Sequence, residues 1–286
     1  MRKLWCDRIL ENKEEGVDMI GIIKRARRIS EEMLNDLVLY DIDTVTINEK
    51  LMVVDMGIEA QGSWLAGEKL VEIFSGGFGE TVLSHMMVDD INLPCVDIFL
   101  DRPILNINIE NILRVSENEI NGTFLFEEDQ DQCGMLYLEG ENLSRKAVVE
   151  YAHRLIDEYH LRDLVVYASQ FNSLVSAIFN ATLGPKLLVE SLLEYGFSKD
   201  QIFWSWCTCP ILPMADIDAI ANRRRQLALS AGSYNSIWLR AEDKDIENYM
   251  KIPMSIACVN IHNLKSAKTF TKGRVDYEAI IKEIFA

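Results

Sequence analysis

Positive charge is scarce in this chain. Twenty-nine lysines and arginines face 45 aspartates and glutamates, a formal net charge of −16 over 286 residues. A surface of that sign cannot replace the counterions of a nucleic acid or settle on an anionic membrane, so both are set aside as partners. No apolar run approaches the ~20 residues that a spanning helix needs. Arg2, Lys3 and Trp5 are followed by charge, not by the apolar core of a signal peptide. The cysteines (Cys6, Cys95, Cys133, Cys207, Cys209 and Cys258) show no disulfide framework spacing, and neither a CxxC nor a histidine pair offers a zinc ligand set. A cytoplasmic, reduced protein with no metal site and no cofactor is the expectation.

Hydrophobic content of 49% with 26% charged residues is that of an ordinary globular protein. The length allows one large domain or two smaller ones, and neither a low-complexity linker nor a composition break marks a boundary.

The most informative stretch begins at Leu164-Val165-Val166-Tyr167-Ala168, which reads as a buried strand. A polar turn, Ser169 to Ser173, leads into a helix expected from Leu174 to Tyr195. A second strand from Gln201 to Trp206 follows and ends at Cys207-Thr208-Cys209-Pro210-Ile211-Leu212-Pro213. Two strand ends, each releasing a polar or proline-fixed loop, are expected side by side in a parallel sheet, where α/β proteins bind ligands.

Upstream, Ile23, Ala26, Ile29, Met33, Leu34 and Leu37 recur at helical spacing, opposite Lys24, Arg25, Arg27 and Arg28. Thr44–Ile47 and Leu51–Met56 are joined by Asn48-Glu49-Lys50 and form an expected hairpin. A helix from Trp64 to Phe74 then reaches Ser75-Gly76-Gly77-Phe78-Gly79. One glycine suffices for a left-handed cap. Three within four positions also permit a backbone to approach a ligand closely, so Gly76, Gly77 and Gly79 are binding candidates.

These segments, in this order, resemble the methenyltetrahydromethanopterin cyclohydrolase family. Val53-Val54-Asp55-Met56-Gly57-Ile58, Ala66-Gly67-Glu68, Gly76-Gly77-Phe78-Gly79, Ser173-Leu174-Val175 and Cys209-Pro210-Ile211-Leu212-Pro213 correspond to family motifs, as do the Leu93–Ile104 strand and the C-terminal strand pair and helix. The resemblance implies an α/β fold of two lobes with a ligand pocket between them. Residues 1–132 and 133–286 are the expected lobes. It further implies a small-molecule substrate, with a pterin-type one-carbon carrier as substrate and not cofactor, and a homo-oligomer, possibly a trimer.

The family's catalytic glutamate and arginine belong to a Gly-Ser-Gly-Pro-Ala-Arg segment and its continuation, and that segment has no counterpart here. The connection from Ile104 to Met135 is short, the stretch from Trp238 to Pro253 is shortened, and a family Gly-Arg/Lys-Thr-Asn-Asp is replaced by Arg223-Arg224-Arg225-Gln226-Leu227. No catalytic residue is therefore carried over.

Four residues are weighed in their place. Cys207 and Cys209 read either as buried and inert or as a thiolate, redox or soft-metal pair. His85 follows the glycine loop and is of the residue type most used for proton transfer. Glu127, beside Glu128 and Asp129, offers a carboxylate near the missing segment. Asn172, Ser173 and Pro210 join the glycines as ligand-binding candidates. Arg223 and Arg224, with Arg225 beside them, read as a solvated helical turn or as an anion-binding cluster. The function expected is a divergent cyclohydrolase-like enzyme acting on an amidine, formamide or methenyl C–N centre. A non-catalytic binding homologue and a thiol- or metal-dependent enzyme are the alternatives.

Overall fold

The computed structural model describes residues 22–88, 90–101, 113–115, 118–126 and 133–285. The chain begins with helices α1 (Ile22–Leu34) and α2 (Leu37–Tyr40), the hairpin β1 (Asp43–Asn48) and β2 (Leu51–Asp55), and α3 (Trp64–Phe74). Strands β3 (Gly79–Val88), β4 (Ile91–Asp101), β5 (Leu113–Val115), β6 (Asn118–Phe126) and β7 (Cys133–Gly140) follow, then α4 (Arg145–Glu158). Next come β8 (Asp163–Gln170), α5 (Leu174–Ala181), α6 (Gly184–Tyr195), β9 (Ile202–Pro210) and α7 (Asp218–Leu227). The chain ends with β10 (Tyr234–Leu239), α8 (Asp243–Tyr249), β11 (Cys258–Asn263), β12 (Lys268–Gly273) and α9 (Tyr277–Ile284).

Two six-stranded sheets result, ordered β1-β2-β8-β7-β6-β5 and β12-β11-β10-β9-β4-β3. In the first, β2, β8 and β7 run parallel between antiparallel edges. The second is antiparallel apart from the β10–β11 pair. Each sheet takes strands from both sides of the 132/133 division, since β2 pairs with β8 and β4 with β9.

The expected parallel neighbours β8 and β9 lie in different sheets, which corrects the sequence reading. The cause is written in their side chains. Strand β8 is almost continuously apolar and buried between parallel partners, whereas β9 alternates buried and half-buried residues, as a strand with antiparallel partners does. The helix between them is two helices. Thr182 turns its hydroxyl onto the Phe179 carbonyl at 2.7 Å, and Gly184-Pro185 restarts the next helix, because proline cannot donate into the preceding turn. The chain thus crosses from one sheet to the other instead of returning to its own.

Helix α4 buries Val148, Tyr151, Ala152 and Leu155 against Leu51, Val53, Leu136 and Leu138 of the first sheet. The largest core joins the other face of that sheet (Val54, Met135, Tyr137, Tyr167), helices α1, α3 and α5, and the second sheet (Val96, Ile98, Cys207, Cys209). Helices α6 and α8 cover Ile237, Leu239, Val259 and Ile261. The periodic apolar face read on the first helix is present, with Ile23, Ala26, Ile29 and Met33 all buried.

Asp55 ends β2 and organises the loop after it. Its carboxylate accepts from the backbone N–H groups of Gly57, Ile58 and Glu59 at 3.1, 2.8 and 3.0 Å, and from Arg145 Nε at 3.1 Å. Burial alone would raise its pKa, but these donors outweigh burial and hold it below the ordinary carboxylate value. Gly57, at φ +154°, lets this loop touch the start of α5, where a Cβ would stand 2.5 Å from Ser173 Cβ. Gly57→Ala is therefore expected to destabilise the protein by about 1–3 kcal/mol, the usual range for overpacking. Urea unfolding measures it, and an unchanged midpoint would show that the contact is soft.

Candidate functional site

The carboxyl ends of β7 and β8, the start of α5, the loop after β9 and helix α7 meet at one place. Strand β7 is buried along its whole length and yet carries Glu139 near its end. On α5, Ser176 and Asn180 stand four residues apart and so share a face with that carboxylate. Ser173 caps the helix by accepting from the Ser176 N–H at 3.0 Å. Glu139 Oε2 accepts from Tyr137 Oη at 3.2 Å, Ser176 Oγ at 2.7 Å, Asn180 Nδ2 at 2.8 Å and Arg225 Nη1 at 2.9 Å. Arg225 also donates to Ser176 Oγ and, at 3.1 Å, to Asn222 Oδ1, and its guanidinium carbon lies 4.4 Å from the centroid of the Phe171 ring. Tyr137 is fully buried, and burial, reinforced by the Glu139 charge, pushes its pKa well above the ordinary phenol value. It therefore acts here as a neutral donor, paired also with Ser169 Oγ at 2.8 Å.

Asp218, at the first turn of α7, fixes the two strand-end turns. Its oxygens accept from the backbone N–H groups of Asn142 and Asn172, each at 3.1 Å. Arg224 holds the loop after β9 by donating Nη1 to the Pro213 carbonyl at 2.8 Å, while its Nε reaches Glu283 at 3.2 Å. Arg223, with Arg224, holds the Glu283 carboxyl below its ordinary value. Between these elements lies a cleft walled by Phe171, Ala177, Ala181, Pro210–Met214, Ala221, Arg224, Arg225 and Ala228.

Several expected residues arrive here. Pro210 and Arg224 line the cleft, and Asn172 and Ser173 form the turn and cap beside it. Arg223 is turned outward to Glu283 at 2.7 Å. The glycine loop is elsewhere. Gly76 and Gly77, at φ +61° and +75°, close α3, and a Cβ on Gly77 would meet Ile29 and Arg25 of α1. Gly79 packs on Ser75, whose hydroxyl accepts from the Gly79 N–H at 2.9 Å. His85 is exposed on β3, one strand removed from β9 and level with Pro94, whose carbonyl accepts from the Ile211 N–H at 2.8 Å, and it is not among the residues that wall the cleft. Glu127 lies outside the described residues.

Cys207 and Cys209 point into the core with no exposed surface. Burial, then the Asp97 charge, pushes the Cys207 thiol up, and burial does the same to Cys209. A thiol nucleophile needs the opposite environment. No group of three or more histidine, cysteine, aspartate or glutamate side chains suited to a metal occurs among the described residues.

The sequence reading weighed Arg225 only as one of three consecutive arginines and did not single out Glu139. A signal existed for both: one acid closes the apolar run Gly134–Leu138, and Arg225 falls seven residues after Asp218, on the same helical face.

A family profile for cyclohydrolase (MCH) matches residues 21–108. The methenyltetrahydromethanopterin cyclohydrolase of Methanocella arvoryzae is 22% identical over 94% of this chain and 89% of its own length. Along most of its length the chain is similar to these cyclohydrolases. The cyclohydrolase of Methanocorpusculum labreanum is 21% identical over 94% of this chain, and that of Methanoregula boonei 23% over 71%. The profile match spans α1 to β4 and includes the glycine loop, whereas the Glu139–Arg225 pair lies beyond it. No described helix of the chain is long and apolar enough to cross a membrane.

Two outcomes follow from the geometry. Arg225→Ala leaves a buried carboxylate without its cation and is expected to cost about 3–5 kcal/mol, whereas Glu139→Leu combined with Arg225→Met should cost much less. Equal losses in chemical denaturation would mean that the pair is not coupled. Thiol reagents under native conditions should leave Cys207 and Cys209 unmodified, and denaturant should expose both. Native labelling of either, located by mass spectrometry, would contradict their enclosure.

Proposed function

We propose that the protein is a cyclohydrolase-like enzyme that binds a small one-carbon compound in this cleft and acts at its amidine, formamide or methenyl C–N centre. The observation that carries this reading is the convergence of two family-like loops, Asn172-Ser173 and Pro210–Pro213, on a cleft whose polar wall is Arg225 backed by Glu139. Arg225 stacked on Phe171 presents a flat, cationic surface, suited to a planar heterocycle bearing electron-rich oxygen. In hydration of a methenyl carbon the attacking water must give up a proton as its C–O bond forms, and Arg225 would favour that loss by stabilising the hydroxide character of the water, with Glu139 keeping the guanidinium aimed. A cytoplasmic homo-oligomer belongs to the same reading.

One observation favours a second reading. Neither a carboxylate nor an imidazole is among the residues that wall the cleft, and its lining is otherwise almost wholly apolar. A homologue that binds a one-carbon compound and does not turn it over fits these facts too.

The deciding experiment is a thermal-shift screen with pterin-type one-carbon carriers, folates, small formamides and amidines, followed by turnover assays on each compound that binds. A specific ligand at a hundredfold excess over its Kd should stabilise by about 2.7 kcal/mol. Arg225→Lys keeps the charge and loses the forked geometry, so binding should weaken at least tenfold. Turnover supports the enzyme, and binding without turnover supports the second reading. Binding that is indifferent to Arg225→Lys, or no binding at all, removes both.

A further inference from the structure

A planar heterocycle does not fit the cleft as it stands, because the space open to a water-sized body is about 20 Å³, room for one water molecule. A wall must move before such a ligand enters, and the walls are not held equally. Helix α5 is packed tightly on α3, where a Cβ on Gly67 would stand 2.7 Å from Ile178. Helix α7 is tied at both ends. Asp218 pins its first turn to the Asn142 and Asn172 N–H groups. The single π-helical turn that follows it, Ala228–Gly232, is anchored by the Ala257 N–H on the Leu229 carbonyl at 3.1 Å and the Asp276 N–H on the Ala231 carbonyl at 2.7 Å. The loop after β9 is the weakest wall. Its root is fixed where the Ile211 N–H donates to the Pro94 carbonyl at 2.8 Å, but residues 212–217 form neither helix nor strand. Pro213 has no N–H to give, and Met214 and Ile217 are 41% and 59% exposed.

Arg224 holds this loop down. Its Nη1 donates to the Pro213 carbonyl at 2.8 Å and lies 3.5 Å from the Met214 carbonyl. Among the described residues, the one other hydrogen bond to residues 212–216 is the long contact of Asn172 Nδ2 with the Asp216 carbonyl, at 3.5 Å. The rest of the guanidinium is clamped to α9, Nε on the Glu283 carboxylate and Nη2 on the Glu283 carbonyl, each at 3.2 Å. A guanidinium carries its donors in a rigid plane, so the α9 contacts aim Nη1 at the loop. We propose that residues 212–216 are a flap over the cleft, that Arg224 is its latch, and that a ligand enters only when the latch lets go. A segment held by so few hydrogen bonds opens locally while the core beneath it stays folded. This gate rests on the reading that the cleft is the ligand site, and it adds how a ligand reaches that site.

Thiol labelling of the full chain reads the flap without any ligand. Ala181 and Ala177 line the α5 wall and are 3% and 9% exposed. Ala181→Cys, with Ala177→Cys as a second reporter, sets in the cleft a thiol that N-ethylmaleimide reaches past the flap, and mass spectrometry locates the label. Cys207 and Cys209, enclosed in the core, serve as internal clocks for global unfolding. With Arg224 in place the cleft thiol should react at least tenfold faster than Cys207 and Cys209 and at least tenfold slower than a small free thiol. Arg224→Gln should speed it at least tenfold while Cys207 and Cys209 keep their rates, and Arg224→Lys, which keeps the charge and loses the fork, should act in the same direction. Arg223→Gln removes the other cation on Glu283 and none of the loop's bonds, so it should leave the rate unchanged. A cleft thiol that keeps pace with Cys207 and Cys209, one that reacts as fast as a free thiol beside an intact Arg224, acceleration of all three thiols together, or an equal effect of Arg223→Gln would each overturn the flap. No ligand takes part, so a failed compound screen leaves the labelling result standing, and a failed flap leaves the screen standing.

Discussion

A carboxylate taken out of water must find partners for its lone pairs, and the site depends on how Glu139 finds them. Its donors come from three elements distant in sequence: Tyr137 on its own strand, Ser176 and Asn180 on α5, and Arg225 on α7. Each needs its backbone placed before the pair can form. Serine caps, the Asp218 carboxylate across two strand-end turns, and the cation–π contact with Phe171 supply that placement. Replacing the pair with apolar residues could preserve or improve stability. Its significance is geometric, because it holds a guanidinium at the wall of a cleft whose other lining is largely apolar.

That placement depends in turn on how the chain travels between the sheets. Helices α5 and α6 carry it from a parallel neighbourhood into an antiparallel one, and the loop after β9 is thereby brought across to the ends of β7 and β8. Two parallel neighbours in one sheet would have placed both strand ends in a row. Here they face each other across α7, and the cleft is the space left between them.

Relationship and chemistry separate along the chain. The segment that the cyclohydrolase profile matches supplies the hairpin, α3 and the glycine loop, whose left-handed residues end a helix against α1. The cleft is assembled from later residues. Likeness in one part of a fold therefore leaves the reacting groups in another part free to differ.

Local chemistry settled much of this protein within the sequence itself. The α1 stripe, the Asn48-Glu49-Lys50 turn, the serine cap at Ser173 and the glycine cap at Gly76-Gly77 depend on neighbours a few residues apart, so period and turn residues made them legible. Two of the expected binding residues, Pro210 and Arg224, line the cleft because strand ends and the loops they release are placed by that same local order. Sequence period could not say which sheet a strand would join, nor that Cys207 and Cys209 would face a core shared by both sheets. Glu139 and Arg225 are 86 residues apart, and each alone reads as an ordinary charge. Only tertiary structure turns them into a buried pair, because burial is a property of everything packed around a residue and not of its neighbours along the chain.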